Sequence, residues 1–200
     1  MPRRPIPSVS AQVVFSANFV AVVTAAVFRW RLSDLLMLYW LELIALGAVA
    51  IFQMRHARAA GTFQKSRGYV LIQFLAHYGT FCVVYRAVLM SLFGASTPPA
   101  DWFWALVWLP LAALVIAHGL SFRRDFLPNE ARNVSPFDAM WIPYLRELPV
   151  HVPLLAAIAL IQPDPAARTV VLGAAGAKTA LDVAAHLYYH TRLARTSPRA

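Results

Sequence analysis

The chain has 200 residues, of which 60% are hydrophobic and 14% charged, with a mean hydropathy of +0.57 and a formal net charge of +9. Soluble domains run nearer to roughly 45–50% apolar and 25% charged, so this composition excludes an ordinary water-soluble fold and makes the lipid bilayer the expected partner. Nucleic acid is not expected as a partner despite the positive charge, because the cations sit in short segments between apolar runs and form no basic stripe interleaved with aromatics.

Spanning the hydrocarbon as a helix takes about 20 apolar residues. Six runs approach that length, at about 11–28, 35–54, 69–93, 102–122, 148–162 and 168–189. The expected fold is therefore all-α, a polytopic six-helix transmembrane bundle in one domain over residues 1–200. The first run follows Arg3 and Arg4 and has small residues around Thr24–Ala26, so a cleaved signal peptide is the alternative reading for it. Its length, and Ser16 and Asn18 within it, favour a retained helix. Cys82 is the single cysteine and lies inside the third run, which excludes an intrachain disulfide and a CxxC motif. Pro110 falls inside the fourth run. The fifth run is short, and the preceding Phe137–Glu147 mixes Trp141 and Tyr144 with Asp138, Arg146 and Glu147, the composition of a short interfacial segment lying flat before the helix begins. Pro149 and Pro153 bracket His151 and free carbonyls there, which makes either a packing kink or an opened turn lining a polar cavity. On the sixth run Gly173, Gly176, Ala177, Ala180 and Ala184 offer small surfaces for close helix approach.

Cytoplasmic segments of membrane proteins carry the excess of Lys and Arg. Arg3, Arg4, Arg55, Arg58, Lys65, Arg67, Arg123, Arg124, Arg132, Arg146, Arg192, Arg195 and Arg199 all fall on one side of a six-span topology, against Arg29, Arg31 and Arg168 on the other. Both termini are expected in the cytoplasm of a bacterial inner membrane protein. Trp30, Trp102 and Trp104 would mark the far interface, and Tyr69, Trp141, Tyr144, Tyr188 and Tyr189 the near one.

Ionisable groups inside these runs cost at least about 2.5–3.5 kcal/mol each on insertion scales, and that cost marks a site. A helix rises about 1.5 Å per residue, which places His118, His151 and His186 one or two turns from the cytoplasmic boundary. Asn18, His77 and Asp182 come out about two turns in, and Glu42 and Lys178 near the midplane. Lys178, Asp182 and His186, spaced i, i+4, i+8, share one face of the last helix, with His190 extending the row. Arg86 stands apart toward the far side, with Asp34 and Asp101 as its available counter-charges.

Imidazoles with one or two carboxylates are the usual ligand set for zinc and non-haem iron. His77, His118, His151, Asp182 and His186 are thus the expected metal ligands, with Glu42 and Lys178 as general acid/base groups acting on a small-molecule or lipid substrate. No HExxH-type spacing accompanies them. Haem held by His77 with His151, or by His118 with His186, is an alternative that would make the protein an electron carrier. A proton- or ion-coupled transporter using Glu42 and Lys178 is another, in which six helices would work as a homodimer because inverted repeats are lacking. A purely structural polar cluster is the remaining reading. Gly119-Leu120-Ser121 with Ala185-His186 faintly matches a rhomboid-type protease, but Phe122 replaces its second glycine and both groups lie at the wrong face.

Tyr39-Trp40-Leu41-Glu42, His77-Tyr78-Gly79-Thr80-Phe81, His118-Gly119-Leu120-Ser121-Phe122 with Glu130 downstream, Pro143-Tyr144-Leu145-Arg146 with His151, and Lys178 with Asp182 and His186 together resemble a family of bacterial and archaeal integral membrane proteins of unknown function. The resemblance covers nearly the whole chain. It implies that this polar set is the family's own motif set, and it names no reaction. A second His-Gly of the family's third helix is replaced here by Tyr85-Arg86.

Overall fold

The structure is a computed structural model that describes residues 9–59, 66–94, 106–161, 164 and 167–196; the side chains of residues 9, 10, 146, 149, 150 and 189–196 are not described. Among the described residues all regular structure is helical and there is no strand. Arg3, Arg4, Lys65, Asp101, Trp102, Trp104 and Arg199 lie outside the described residues, as do the side chains of Arg146, Pro149, Tyr189, His190, Arg192 and Arg195.

The helices are α1 (Val9–Val27), α2 (Leu32–His56), α3 (Arg67–Phe93), α4 (Trp108–Ser121), continued by a π-helical segment Phe122–Glu130, then α5 (Pro136–Ile161) and α6 (Arg168–Thr196). Three helices are long and apolar enough to cross a membrane: Leu32–His56, Arg67–Phe93 and Arg168–Tyr188. Helix α2 is the central element, packed against α3, α4, α5 and α6, while α1 lies on α4 and α6. Its position follows from its sequence. Leu32, Leu35, Leu36, Leu38, Tyr39 and Leu43 put apolar side chains all round the first half of the helix, which leaves no face for water, and all six are buried.

Helix ends are closed from neighbouring helices. Arg67 reaches back to donate to the carbonyls of Arg55 (2.8 Å) and Ala57 (2.9 Å), and Arg168 donates to Ala26 (3.0 Å). These carbonyls lack a partner within their own helix, so a guanidinium there satisfies both the hydrogen bond and the helix dipole. The turn after α1 uses Arg29 at φ 51°, with Trp30 N–H bonded to Ala25 O at 3.0 Å, the wrap-around closure that normally has glycine at the left-handed position. Arg29→Val is expected to lose about 1–2 kcal/mol, because a β-branched residue strains at positive φ, whereas Arg29→Gly should not destabilise. Paired denaturation midpoints check this.

The first run is a packed helix: Ala11, Val14, Ala17, Asn18, Ala21 and Ala25 form its buried face, with Asn18 Nδ2 bonded to Val14 O at 3.1 Å. Helix α5 corrects the expected flat interfacial segment. Residues 136–161 form one continuous helix. Ser135 accepts from the Asp138 backbone N–H (3.1 Å) and donates to its carboxylate (2.6 Å), with Pro136 following at the first helical position. That is an N-terminal cap with proline where its missing N–H costs nothing. His151 therefore stands fifteen residues into the helix, about 22 Å from its start, and not near its beginning. The small residues of α6 are a second correction. Gly173, Gly176, Ala177, Ala180 and Ala184 are exposed, and nothing packs within 4 Å of where a side chain on Gly173 or Gly176 would start. The close approach occurs instead at Gly47 of α2, against which the Tyr78 ring lies.

Candidate functional site

Lys178 of α6 lies at the centre of a buried ionic cluster. Its Nζ is 2.7 Å from Glu42 Oε2 of α2 and 2.5 Å from Asp182 Oδ2 one turn along its own helix. The i, i+4 spacing puts Lys178 and Asp182 on one face, and the central position of α2 brings Glu42 to that face. The other Glu42 oxygen is 3.3 Å from His118 Nε2 of α4. The Tyr39 ring lies 4.8 Å from the ammonium, a cation–π contact that adds a fourth wall. Glu42, His118, Lys178 and Asp182 are all 3% exposed or less.

A second group adjoins the first across Tyr39. His151 packs edge-on against the Tyr39 ring, with centroids 6.0 Å apart. Its Nε2 is 3.1 Å from Glu147 Oε2 and its Nδ1 is 3.0 Å from Tyr85 Oη. A neutral imidazole satisfies both at once, donating from Nε2 to the carboxylate and accepting the phenol proton at Nδ1. His186 is buried one turn beyond Asp182 on the same face of α6.

The sequence thus located Glu42, His118, His151, Lys178, Asp182 and His186 as interior groups, and the structure brings Glu42, His118, Lys178 and Asp182 into direct contact. His77 is the exception. It is exposed on the outer side of α3, and its neighbour Tyr78 faces inward, bonding Leu43 O at 2.8 Å. Three contributors were not picked out: Glu147, because it was assigned to an interfacial segment, and Tyr39 and Tyr85, because aromatics are unremarkable in an apolar run. The i, i+4 pair Glu147 and His151 was the available signal once the helix is read as continuous. Arg86 does not pair with Asp34. Its guanidinium lies over the Trp40 ring at 5.9 Å, and Asp34 caps α2 by accepting from Arg31 N–H at 2.9 Å. Ser121 donates to Asp125 at 3.3 Å.

Among the described residues no group of three His, Cys, Asp or Glu side chains is disposed to hold a metal ion. The physical reason is that the Lys178 ammonium already lies between the Glu42 and Asp182 carboxylates, in the place a cation would take, and His77 is outside. Of the expected zinc or iron set, His118, His151, Asp182 and His186 are buried and His77 is exposed. Both His151 nitrogens have partners, His118 Nε2 faces Glu42, and His77 points away.

One cleft reaches the cluster. It has about 40 Å³ of space, is lined by Leu46, Ala50, Gln53, Ser121 and Pro143 among others, and has His118 in its wall. A water requires about 10–15 Å³, so the cleft has room for a few waters beside His118. The polar members, Gln53 and Ser121, stand near the ends of α2 and α4.

No curated protein and no solved structure matches the chain. A family model does match it, over residues 1–199, so the chain belongs to a family of unknown function, DUF6498.

Proposed function

We propose that this chain is an integral membrane protein that takes up protons at His118 and passes them to the buried Glu42–Lys178–Asp182 group, as the proton-handling core of a proton-coupled transporter. One observation carries the reading. The buried cluster holds three carboxyls, Glu42, Glu147 and Asp182, against one ammonium, Lys178, with His118 and His151 between them. With both imidazoles neutral and all three carboxyls ionised, these six side chains carry a formal net charge of −2, and burying charge costs several kcal/mol per ion. Protons held on the imidazoles or carboxyls lower that charge. Protons held in this way, next to a wet cleft, are the raw material of a relay.

The membrane reading has six spans, with residues 136–161 supplying the fifth. It is supported by the large exposed apolar side chains around the bundle, among them Phe19, Ile72, Val83, Leu109, Ile116 and Leu160. Water would not tolerate such a surface on a monomer. The exposed Arg55, Arg58, Arg67, Arg123, Arg124 and Arg132 gather near the C-termini of α2 and α4 and the start of α3. By the positive-inside rule this distribution supports the reading that the cleft, with both termini, faces the cytoplasm of a bacterial inner membrane.

The test is proton flux into liposomes carrying the purified protein, driven by a potassium diffusion potential and read with a trapped pH dye. Glu42→Gln keeps the shape and removes the titrating group, and it is expected to lower the flux at least about tenfold. Wild-type flux equal to that of protein-free liposomes would end the reading, and stoichiometric zinc or iron in the purified protein would return the metal-centre alternative.

A further inference from the structure

We infer that Arg55, Arg58 and Arg132, at the cleft end of the bundle, hold the phosphate of an anionic phospholipid whose acyl chains run down over Phe52 and the first turns of α3. The inference rests on the membrane reading and is independent of proton transfer. Three observations carry it.

The first is assembly. Arg58 N–H bonds Ala131 O at 2.7 Å and Ala59 N–H bonds Val134 O at 3.2 Å, so the segment leaving α2 is fixed alongside residues 131–134 and Arg58 stands next to Arg132. Arg67 donates to the carbonyls of Arg55 and Ala57, which brings the start of α3 and a further positive charge to the same place. The fold has thus gathered Arg55, Arg58, Arg67 and Arg132 from three separate segments, and all four are exposed.

The second is charge. Three acids occur in the neighbouring segment: Glu130 is buried, and Asp125 and Asp138 each accept a hydrogen bond from a serine of their own turn, at 3.3 and 2.6 Å. Like charges brought together repel, and an anion seated among them relieves the repulsion. Phosphate suits the guanidinium best, because its oxygens match the planar fork of N–H donors.

The third is the order of surfaces with depth. Beneath the arginines the exposed surface turns aromatic and then aliphatic: Phe52 is 52% exposed, Tyr69 48% and Ile72 70%. The Phe52 ring is held against Phe122, which also meets His56. Charged headgroup, ester region and acyl chain follow one another in the same order in a phospholipid, and the cytoplasmic leaflet supplies the anionic ones. Free phosphate or an acidic soluble protein would meet the arginines and leave Phe52 and Ile72 uncovered.

The test compares phosphatidylglycerol with phosphatidylcholine, each added to the full-length protein in neutral detergent micelles. Native mass spectrometry from an equimolar mixture should find phosphatidylglycerol retained at least about fivefold over phosphatidylcholine. Phosphatidylglycerol should also raise the melting temperature by at least about 3 °C, with no rise from phosphatidylcholine or inorganic phosphate. The double variant Arg58→Gln, Arg132→Gln should lose both effects while its lipid-free melting stays within about 1 °C of wild type, since both side chains are exposed. Arg31→Gln, at the other end of the bundle, should keep both. Retention without preference, or a double variant that still prefers phosphatidylglycerol, would overturn the site, and an equal rise with inorganic phosphate would overturn the lipid as its occupant. Protein that incorporates into liposomes of both lipids alike keeps the membrane reading and loses the site; protein that stays soluble without detergent and apart from both refutes the membrane reading and the site with it.

Discussion

Lys178→Met is expected to destabilise the protein by about 3–5 kcal/mol, the cost of leaving buried charges without their partner. Glu42 and Asp182 each have an oxygen within 2.7 Å of the same nitrogen, and all three side chains are 1% exposed or less. Without the ammonium, two buried carboxylates face each other. The loss should be smaller at low pH, where a proton can take the place of the missing charge. The triple variant Lys178→Met, Glu42→Gln, Asp182→Asn removes all three charges and should recover most of the stability, because apolar or neutral replacement of a buried ionic group is often tolerated. Denaturant or thermal unfolding in one detergent, at two pH values, measures all of this. A single variant as stable as wild type at neutral pH would show that the ammonium does not hold the cluster together.

The second large effect is expected at Gly47. A Cβ there would lie 2.6 Å from Tyr78 Cε1 and 3.0 Å from its Cδ1, closer than atoms pack without something moving. The Tyr78 ring is not free to yield: its hydroxyl bonds Leu43 O at 2.8 Å, and it stacks on Phe74 with centroids 4.9 Å apart. Gly47→Ala should therefore cost about 1–3 kcal/mol by overpacking. It should also push α3 away from α2 and carry Tyr85 off His151, since Tyr78 and Tyr85 share one face of α3. A double-mutant cycle with Tyr78→Leu separates the clash from any intrinsic effect of losing glycine. If Gly47→Ala costs the same with and without the Tyr78 ring, the contact is not the cause.

The interior polar groups were legible because their chemistry contrasts with their surroundings. Glu42, Lys178, Asp182 and His186 stand out in apolar runs, and the i, i+4, i+8 spacing on α6 states without coordinates that three of them share a face. The same logic failed at His77. Its run is apolar on every side, so no periodic pattern tells which face of α3 turns inward, and the neighbouring Tyr78 took the inward position because Gly47 leaves room for its ring. The small residues of α6 failed for the same reason: a stripe of Gly and Ala shows where close approach is feasible, and packing decided that it occurs elsewhere. In α5 the Ser135-Pro136 start was readable, but the prolines at 143, 149 and 153 and the charge at Glu147 broke the apolar run and hid a continuous helix.

Composition by itself determined that the chain is helical and apolar and that it keeps an ionic centre in its interior, because burial of charge is too costly to occur by accident. Only the tertiary structure decided which partners meet: that the Lys178 ammonium lies between Glu42 and Asp182, that Glu147 and Tyr85 complete a second line through His151, and that Tyr39 separates the two. Those outcomes depend on the rotation of each helix about its own axis. Ångström-scale contacts such as the one between Gly47 and Tyr78 set that rotation, and no run of apolar residues encodes it alone.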